Sequence, residues 1–442
     1  MKRVILVDDL RLHDLPNLNA AEVMPDCDCA CPIEGPAFPA LDAPIYYALE
    51  LTSACNNRCS GCSNVFERMR QPLPFTQWRD ILDTIAPHTA RLKITGGEPT
   101  LHPDFSRILA DIEQRGILFT LFTNARWRDP QSTIDNLKAT TTCTGVLISL
   151  HGATSATHEA FTGVAGSFAE TIANIERATQ AGLSVHISCV LMRSNLDQIT
   201  DVVALAQNLG ASATVFNRYI GPPREGISIT PQQLIQAMQH IDALQRTGTP
   251  VHFGTCIPQC FTPSTSTGCL AGNAYCTLDP WGNLRPCNHV PWIAGNILTD
   301  SLANVWHSDV MQRWRALLPN SCTTCAAFAQ CRGGCRAEAI LNGVTRDPLM
   351  QAAISTAAPL ESTQLRLYRH AKPTLDCEVH PQTFGYLLLR GGQAFPVAGE
   401  FSSVLTAIDT AMTLQEISNK YGQAALDWVG ELYQNQYLML SW

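Results

Sequence analysis

No run of this sequence is apolar for long enough to cross a bilayer. Its start, MKRVILVDDLRLHD, offers two cations and a few apolar residues followed by acids. A secretory signal needs a longer apolar core and a small-residue cleavage site. The expectation is a cytoplasmic protein with no membrane partner. Basic residues are also in short supply: 30 Lys and Arg against 38 Asp and Glu leave a net charge of -8. That balance gives no general attraction to nucleic acid or anionic lipid. Charged residues make up only 15% and hydrophobic ones 45%, a globular composition. A chain of 442 residues is too long for one ordinary domain, so two or three are expected.

Cysteine is the contrast, with 18 in the chain. Dense cysteine usually means disulfides in small secreted domains. In a large chain without an export signal, metal or cluster ligation is the better account.

Residues 1–44 are rich in Pro, Asp and Cys and read as an irregular extension. Strand signals follow at 45–52 (IYYALELT), 91–95 (RLKIT), 117–123, 145–150, 183–192 and 213–220, with helical patterns between them, among them 74–86 and 103–115. Asn195 with Gln198, and Thr230 with Gln233, have capping-box spacing; Pro231 suits a first helical position and Gly210 a helix stop. Six such β/α repeats predict a parallel sheet with helical crossovers, a partial or full barrel. Functional residues then gather at the C-terminal ends of the strands. Past about residue 248 the pattern turns to Cys, Gly and Pro punctuation. From about 378 it becomes short strands (TFGYLLLR, QAFPV) and then three helical stretches, the last ending in QYLML.

Cys55, Cys59 and Cys62 stand directly after the first strand, in LTSACNNRCSGC. Three thiolates on one loop can hold three irons of a four-iron cube, which normally takes four cysteines. The iron left without a protein ligand is an open coordination site, as catalytic metals require. A structural zinc site is the alternative; it would need a fourth ligand, and its cysteines usually come as two separated C-x-x-C pairs.

CNNRCSGC resembles the C-x3-C-x2-C signature of the radical SAM superfamily. The resemblance implies a (β/α)6 partial TIM barrel, a four-iron cluster and S-adenosylmethionine. Gly96, Gly97, Glu98 and Pro99 (TGGEPT) resemble the family's GGEP motif, whose backbone and glutamate bind the methionine amino group. Asn124 and Ser149, at the ends of the third and fourth strands, resemble positions that contact the nucleoside or methionine. Arg218, late in the sixth strand, is placed to pair with the methionine carboxylate. By that resemblance S-adenosylmethionine chelates the open iron, one electron breaks a carbon–sulfur bond, and a 5′-deoxyadenosyl radical takes hydrogen from an unactivated carbon.

Cys322, Cys325, Cys331 and Cys335 read C-x2-C-x5-C-x3-C, preceded by Cys269, Cys276, Gly282 and Cys287 in GCLAGNAYCTLDPWGNLRPCNH. This resembles the SPASM extension, which carries two auxiliary four-iron clusters, making three in all. The resemblance assigns Cys269, Cys276, Cys287 and Cys335 to the first auxiliary cluster and Cys322, Cys325 and Cys331 to the second. The family's further cysteine comes soon after the last motif. Here the next is Cys377, so either Cys377 closes the second cluster or that cluster keeps an open iron. Paired zinc ribbons are the alternative. Cys256 and Cys260 (CIPQC) could be substituted ligands, thiols near a substrate, or buried residues, the default for free cysteine. Cys143 and Cys189 fall within strands and read as core. Cys27, Cys29 and Cys31 alternate, so a strand would show all three on one face.

Residues 378–442 read as a winged-helix-like unit. Two cations, Arg390 and Lys420, face six acids there, which argues against DNA. The unit resembles the PqqD-like peptide-recognition domain, in which a leader peptide adds a strand to an exposed sheet edge. The implied domains are 1–44 extension, 45–247 radical SAM barrel, 248–377 SPASM and 378–442 peptide recognition. The implied function is radical modification of a ribosomally made precursor peptide by cross-linking, epimerisation or backbone excision. An electron donor such as a flavodoxin or ferredoxin would be a partner. The alternatives are a maturase of a folded enzyme such as a sulfatase, a small-molecule dehydrogenase, or a non-catalytic redox protein. A methionine-binding pocket argues against the last.

Overall fold

The computed structural model describes residues 40–63, 70–262, 268–354, 369–390 and 393–441. Cys27, Cys29 and Cys31 lie outside them. Strands β1 (Tyr46–Glu50), β2 (Arg91–Thr95), β3 (Phe119–Thr123), β4 (Cys143–Ser149), β5 (Val185–Leu191), β6 (Ala213–Arg218) and β7 (Val251–Phe253) run parallel, each beside the next. Helices cross between them: α1 (Phe75–Ile85), α2 (Phe105–Gln114), α3 (Pro130–Lys138), α4 (Ser155–Thr162), α5 (Ser167–Gln180), α6 (Ile199–Asn208) and α7 (Pro231–Arg246). The helical period explains how they seat. In α1 the buried residues are Trp78, Ile81, Leu82 and Ile85; in α2 they are Phe105, Ile108, Leu109 and Ile112. That i, i+3, i+4, i+7 stripe lies on the sheet. Strand β5 alternates between fully and partly buried positions along its whole length.

The expected capping box at α7 is present, with Thr230 Oγ1 accepting from Gln233 N and Pro231 at the first helical position. Gly210 follows α6 at φ +77°, where only glycine is unstrained. Asn195 does not cap. Its Oδ1 accepts from Met192 N (2.8 Å) and its Nδ2 donates to the carbonyls of Val190 (2.8 Å) and His151 (3.0 Å). It ties the ends of β4 and β5 together instead.

The parallel sheet does not stop at the expected boundary of 247. Besides β7, it gains β8 (Tyr275–Leu278), which pairs parallel to β1 on the other side, then β9 (Asn283–Arg285) and β10 (Gly295–Asn296) antiparallel. The cysteine-rich segment is thus built onto the sheet that carries the first cysteine loop. A buried ion pair joins them: Arg285 Nη2 on β9 donates to Glu50 Oε2 at the end of β1. Burial outweighs the arginine and lifts the Glu50 carboxyl to about 7.

The C-terminal unit has its own core, with Leu388, Val404, Ile408, Ile417, Val429 and Leu432 at its centre. It starts earlier than 378, because β11 (Lys372–Leu375) pairs with β15 (Leu438–Ser441) and Ala371 is fully buried in that core. Strands β12 (Glu378–Gln382), β13 (Gly385–Arg390) and β14 (Gln393–Ala398) form a meander, followed by helices Ser402–Asp409, Leu414–Tyr421 and Gln423–Gln434. The last helix ends at Gln434, and the apolar residues of QYLML belong mostly to β15. Alternation along β13 gives the unit two faces. Leu388 enters its own core, while Leu387 and Leu389 pack against Leu41, Ile45 and Ala274 beside the sheet. Leu387→Asp should therefore detach the unit without melting it, and Leu388→Asp should melt it. In limited proteolysis the first variant should release a resistant C-terminal fragment and the second a degraded one. Equal resistance of both variants and wild type would contradict this packing.

Candidate metal centres

The chain leaving β1 runs beside the turn leaving β2. Leu51 N donates to Thr95 O (2.9 Å), Gly97 N to Thr52 O (2.7 Å) and Glu98 N to Ala54 O (2.8 Å). The two loops thus stay in backbone register past their strands, and no side chain fits between them. Gly96 sits at φ +138°, and a Cβ there would lie 2.5 Å from Thr52 O. One on Gly97 would lie 2.6 Å from Ser53 O and nearer still to Ala54 O. The paired glycines are a condition of this approach, and the approach fixes the chain just before Cys55.

Glu98 is completely buried, and both its oxygens are engaged within the protein. Oε1 accepts from Thr100 Oγ1 (2.7 Å) and Thr123 Oγ1 (2.8 Å); Oε2 accepts from Asn124 N (2.8 Å). Burial raises its pKa, and these bonds oppose the rise. The carboxylate therefore fastens the end of β2 to the end of β3, and Oε2 accepts a single bond there. Pro99, also buried, opens the single turn that follows.

Asn124 carries the connection onward. Its Nδ2 donates to Asn56 Oδ1 (2.8 Å) and to Cys55 Sγ (3.7 Å), while Asn57 N donates to the same sulfur (3.4 Å). Arg126 completes the clamp, with Nη1 donating to Asn56 O (2.7 Å) and Asn57 Oδ1 (2.8 Å) and its other side paired with Glu170 (2.8 Å). Asn56, Asn57 and Arg126 were missed from the sequence. The available signal was two asparagines directly after Cys55 and an arginine two residues after Asn124. Further along the loop, Arg58 N and Ser60 N donate to the carbonyls of Thr162 and Phe161 at the end of α4. Cys59 packs among Phe161, Met192, Tyr219 and Ile227. Cys55 and Cys59 are half-buried and Cys62 is exposed. Three thiols on one braced loop, with N–H donors on one sulfur, fit a thiolate-held iron–sulfur cluster. Ser149 closes β4 beside Ser188 of β5, at the same end of the sheet.

The later cysteines sort into two groups, which keep the expected sets except that Cys276 leaves the first and Cys256 and Cys260 join. Cys269, Cys287 and Cys335 share a buried cluster with Ile220, Val290 and Trp314. Burial pushes the Cys287 thiol up, and the neighbouring charges of Cys335 and Cys269 push it further. Cys256 belongs with them: burial raises its thiol most, then Cys269 and Cys335. Cys276 does not. On β8 it alternates with Tyr275; Tyr275 packs beside the cysteine cluster, while Cys276 enters the barrel core in register with Tyr47. Cys322, Cys325, Cys331 and Cys260 line one recess. Cys377 is elsewhere, partly buried against the C-terminal core, with its thiol raised to about 11 by burial and then by Asp376. Cys189 is core as expected; Cys143 is only partly buried.

Arg218 is committed within the protein as well. Its guanidinium forms a two-pronged pair with Asp347 (2.5 and 3.1 Å), almost wholly buried on both sides. Asp347 Oδ2 also accepts from Cys335 N (2.9 Å). The end of β6 is thereby bolted to a cysteine of the second set, while the Arg218 Nε is left, among the described residues, as a buried donor without a hydrogen-bond partner.

Residues 49–206 match the radical SAM superfamily, and residues 269–333 match SPASM, an iron–sulfur cluster-binding domain. The mycofactocin maturase MftC of Mycobacterium ulcerans is 33% identical over 70% of this chain and 87% of its own length. The AdoMet-dependent heme synthase of Methanosarcina barkeri is 27% identical over 67% of this chain and 93% of its own. Among solved structures, Streptococcus suis SuiB bound to its precursor peptide SuiA superposes with TM-score 0.61 at 20% identity, over 71% of this chain and 77% of that one. Among the described residues no helix is long and apolar enough to cross a membrane.

The close approach at Gly97 makes a sharp test. Gly97→Ala forces backbone against backbone and should displace the Cys55 loop. The reconstituted variant should lose about four irons while keeping those of the later cysteines. Gly116→Ala, where an added Cβ meets nothing within 4 Å, should keep the full iron content. Anaerobic iron and sulfide analysis decides, and full loading of Gly97→Ala would contradict the account.

Proposed function

The chain belongs to the radical SAM superfamily and carries a SPASM domain, and from that premise we propose that it modifies a ribosomally synthesised precursor peptide. The observation that carries the chemistry is the three-cysteine loop locked against the Gly96–Gly97 turn. When bound, a reduced four-iron cluster and S-adenosylmethionine supply the 5′-deoxyadenosyl radical that abstracts hydrogen. The chain's own residues hold and orient. Cys55, Cys59 and Cys62 would be the ligands, leaving one iron position for S-adenosylmethionine. The Gly96–Gly97 backbone, with no side chain in the way, and Ser149 at the same rim would meet S-adenosylmethionine. Glu98 and Arg126 act through Asn124 and the cysteine loop. Arg218 is a positioning residue between the barrel and Cys335.

Two auxiliary four-iron clusters complete the set of three, the first held by Cys256, Cys269, Cys287 and Cys335. A flavodoxin or ferredoxin would supply electrons. The barrel is an open (β/α)6 arrangement extended by the SPASM strands. The C-terminal unit, winged-helix-like in its meander and three helices, is a PqqD-like recognition domain. Among the described residues, β12 and β14 each have no neighbouring strand on one side, and a leader added there would be held by main-chain bonds. The likeness to MftC and to the peptide-bound SuiB supports a peptide substrate. The likeness to the heme synthase favours a second possibility, a small-molecule substrate, which would leave the C-terminal unit as packing.

Two outcomes follow. Cys59→Ala should make no 5′-deoxyadenosine under dithionite; wild-type turnover would remove the assignment. Adding the leader of a cognate precursor should slow amide exchange along β12 or β14, as read by hydrogen–deuterium mass spectrometry. Unchanged exchange at both edges would favour the small-molecule alternative.

A further inference from the structure

We propose that Cys260 is the fourth protein ligand of the second auxiliary cluster, reaching it from the chain upstream of the Cys322 motif, and that Cys377 takes no part. This rests on the proposal that a second auxiliary cluster exists.

The recess between Leu318 and Met350 is lined by four cysteines, Cys260, Cys322, Cys325 and Cys331. Backbone N–H groups point at two of the four sulfurs. Gln351 N donates to Cys260 Sγ (3.3 Å), and Gln259 N, next to Cys260, donates to Cys331 Sγ (3.4 Å). Such N–H···S bonds are among the features that tune iron–sulfur centres. The backbone around the recess is shaped to let the two segments meet. Gly333 is at φ +83°, and a Cβ on it would lie 2.6 Å from Leu318 Cδ2 and 3.9 Å from Cys322 Sγ. Gly334 is at φ +69°, and a Cβ on it would lie 3.1 Å from Pro258 of the CIPQC turn. That turn is closed by Phe261 N and Thr262 N donating to Pro258 O, which fixes the direction Cys260 takes. Cys256, four residues earlier, goes to the other group. One short turn thus feeds one thiol to each auxiliary site and links them through the backbone. Cys377, between β11 and β12, is partly buried against a separate core and does not line the recess.

The experiment uses the full chain with Cys55, Cys59 and Cys62 replaced by alanine, so that only auxiliary iron remains. This parent should hold about eight irons. Adding Cys260→Ala should lower the count by at least one and give an oxidised three-iron signal in electron paramagnetic resonance, or remove four irons outright. Cys260→Ser should keep the cluster and shift one midpoint potential. Cys377→Ala should change neither iron nor spectrum. As a measurement independent of any variant's folding, Cys260 in the wild-type holoenzyme should resist alkylation until the iron is chelated. A parent holding only about four irons would mean that the second cluster itself is absent. A parent with eight, in which Cys260→Ala keeps its iron and spectrum, or a holoenzyme alkylated at Cys260 without iron loss, would overturn the assignment of Cys260.

Discussion

Everything at the candidate site hangs on two backbones that approach without a side chain between them. The loops after β1 and β2 continue the parallel ladder past the strand ends because Gly96 and Gly97 let them. That places Cys55 and the turn at Glu98 in fixed register. Glu98 then passes the constraint to β3, and Asn124 returns it to the Cys55 sulfur. A carboxylate buried this completely is stable only because four hydrogen-bond donors surround it. Its bonds within the protein join β2 and β3 and, through Asn124, the cysteine loop.

The same economy of buried charge joins the two halves of the protein. Arg218 with Asp347, and Glu50 with Arg285, each link a strand end of the first β/α repeats to the cysteine-rich segment. Buried pairs of this kind contribute little net stability, but losing one partner leaves a bare buried charge and costs about 3–5 kcal/mol. They therefore act more as locks on relative position than as glue. In this chain they hold the Cys335 region against the rim of the barrel, where the distance between the radical site and the auxiliary thiols is set.

The β/α repeats and the first cysteine loop were legible in the sequence because their signals are local. Strand periods, a cap such as Thr230–Gln233, and C-x3-C-x2-C each lie within a short window. What could not be read depends on long-range pairing. Arg218 meets a partner 129 residues away, and nothing near it in sequence marks Asp347. Cys276 looked like a ligand by its company, yet strand alternation turns it into the core. Cys260 looked surplus because its partners lie beyond residue 320. Glu98 was recognised by motif, but its burial could be seen only once β3 was in place. The start of the C-terminal unit was misplaced because β11 is paired with the strand at the far end of the chain.

The central claim is that hydrogen is taken from a peptide. It is tested most directly by following the atom: a cognate precursor made with deuterated amino acids, incubated anaerobically with the reconstituted enzyme, S-adenosylmethionine and reductant. The account predicts deuterium in the 5′-deoxyadenosine formed and a mass change in the core of the same peptide. Product 5′-deoxyadenosine free of deuterium, with the peptide recovered unchanged, would contradict it.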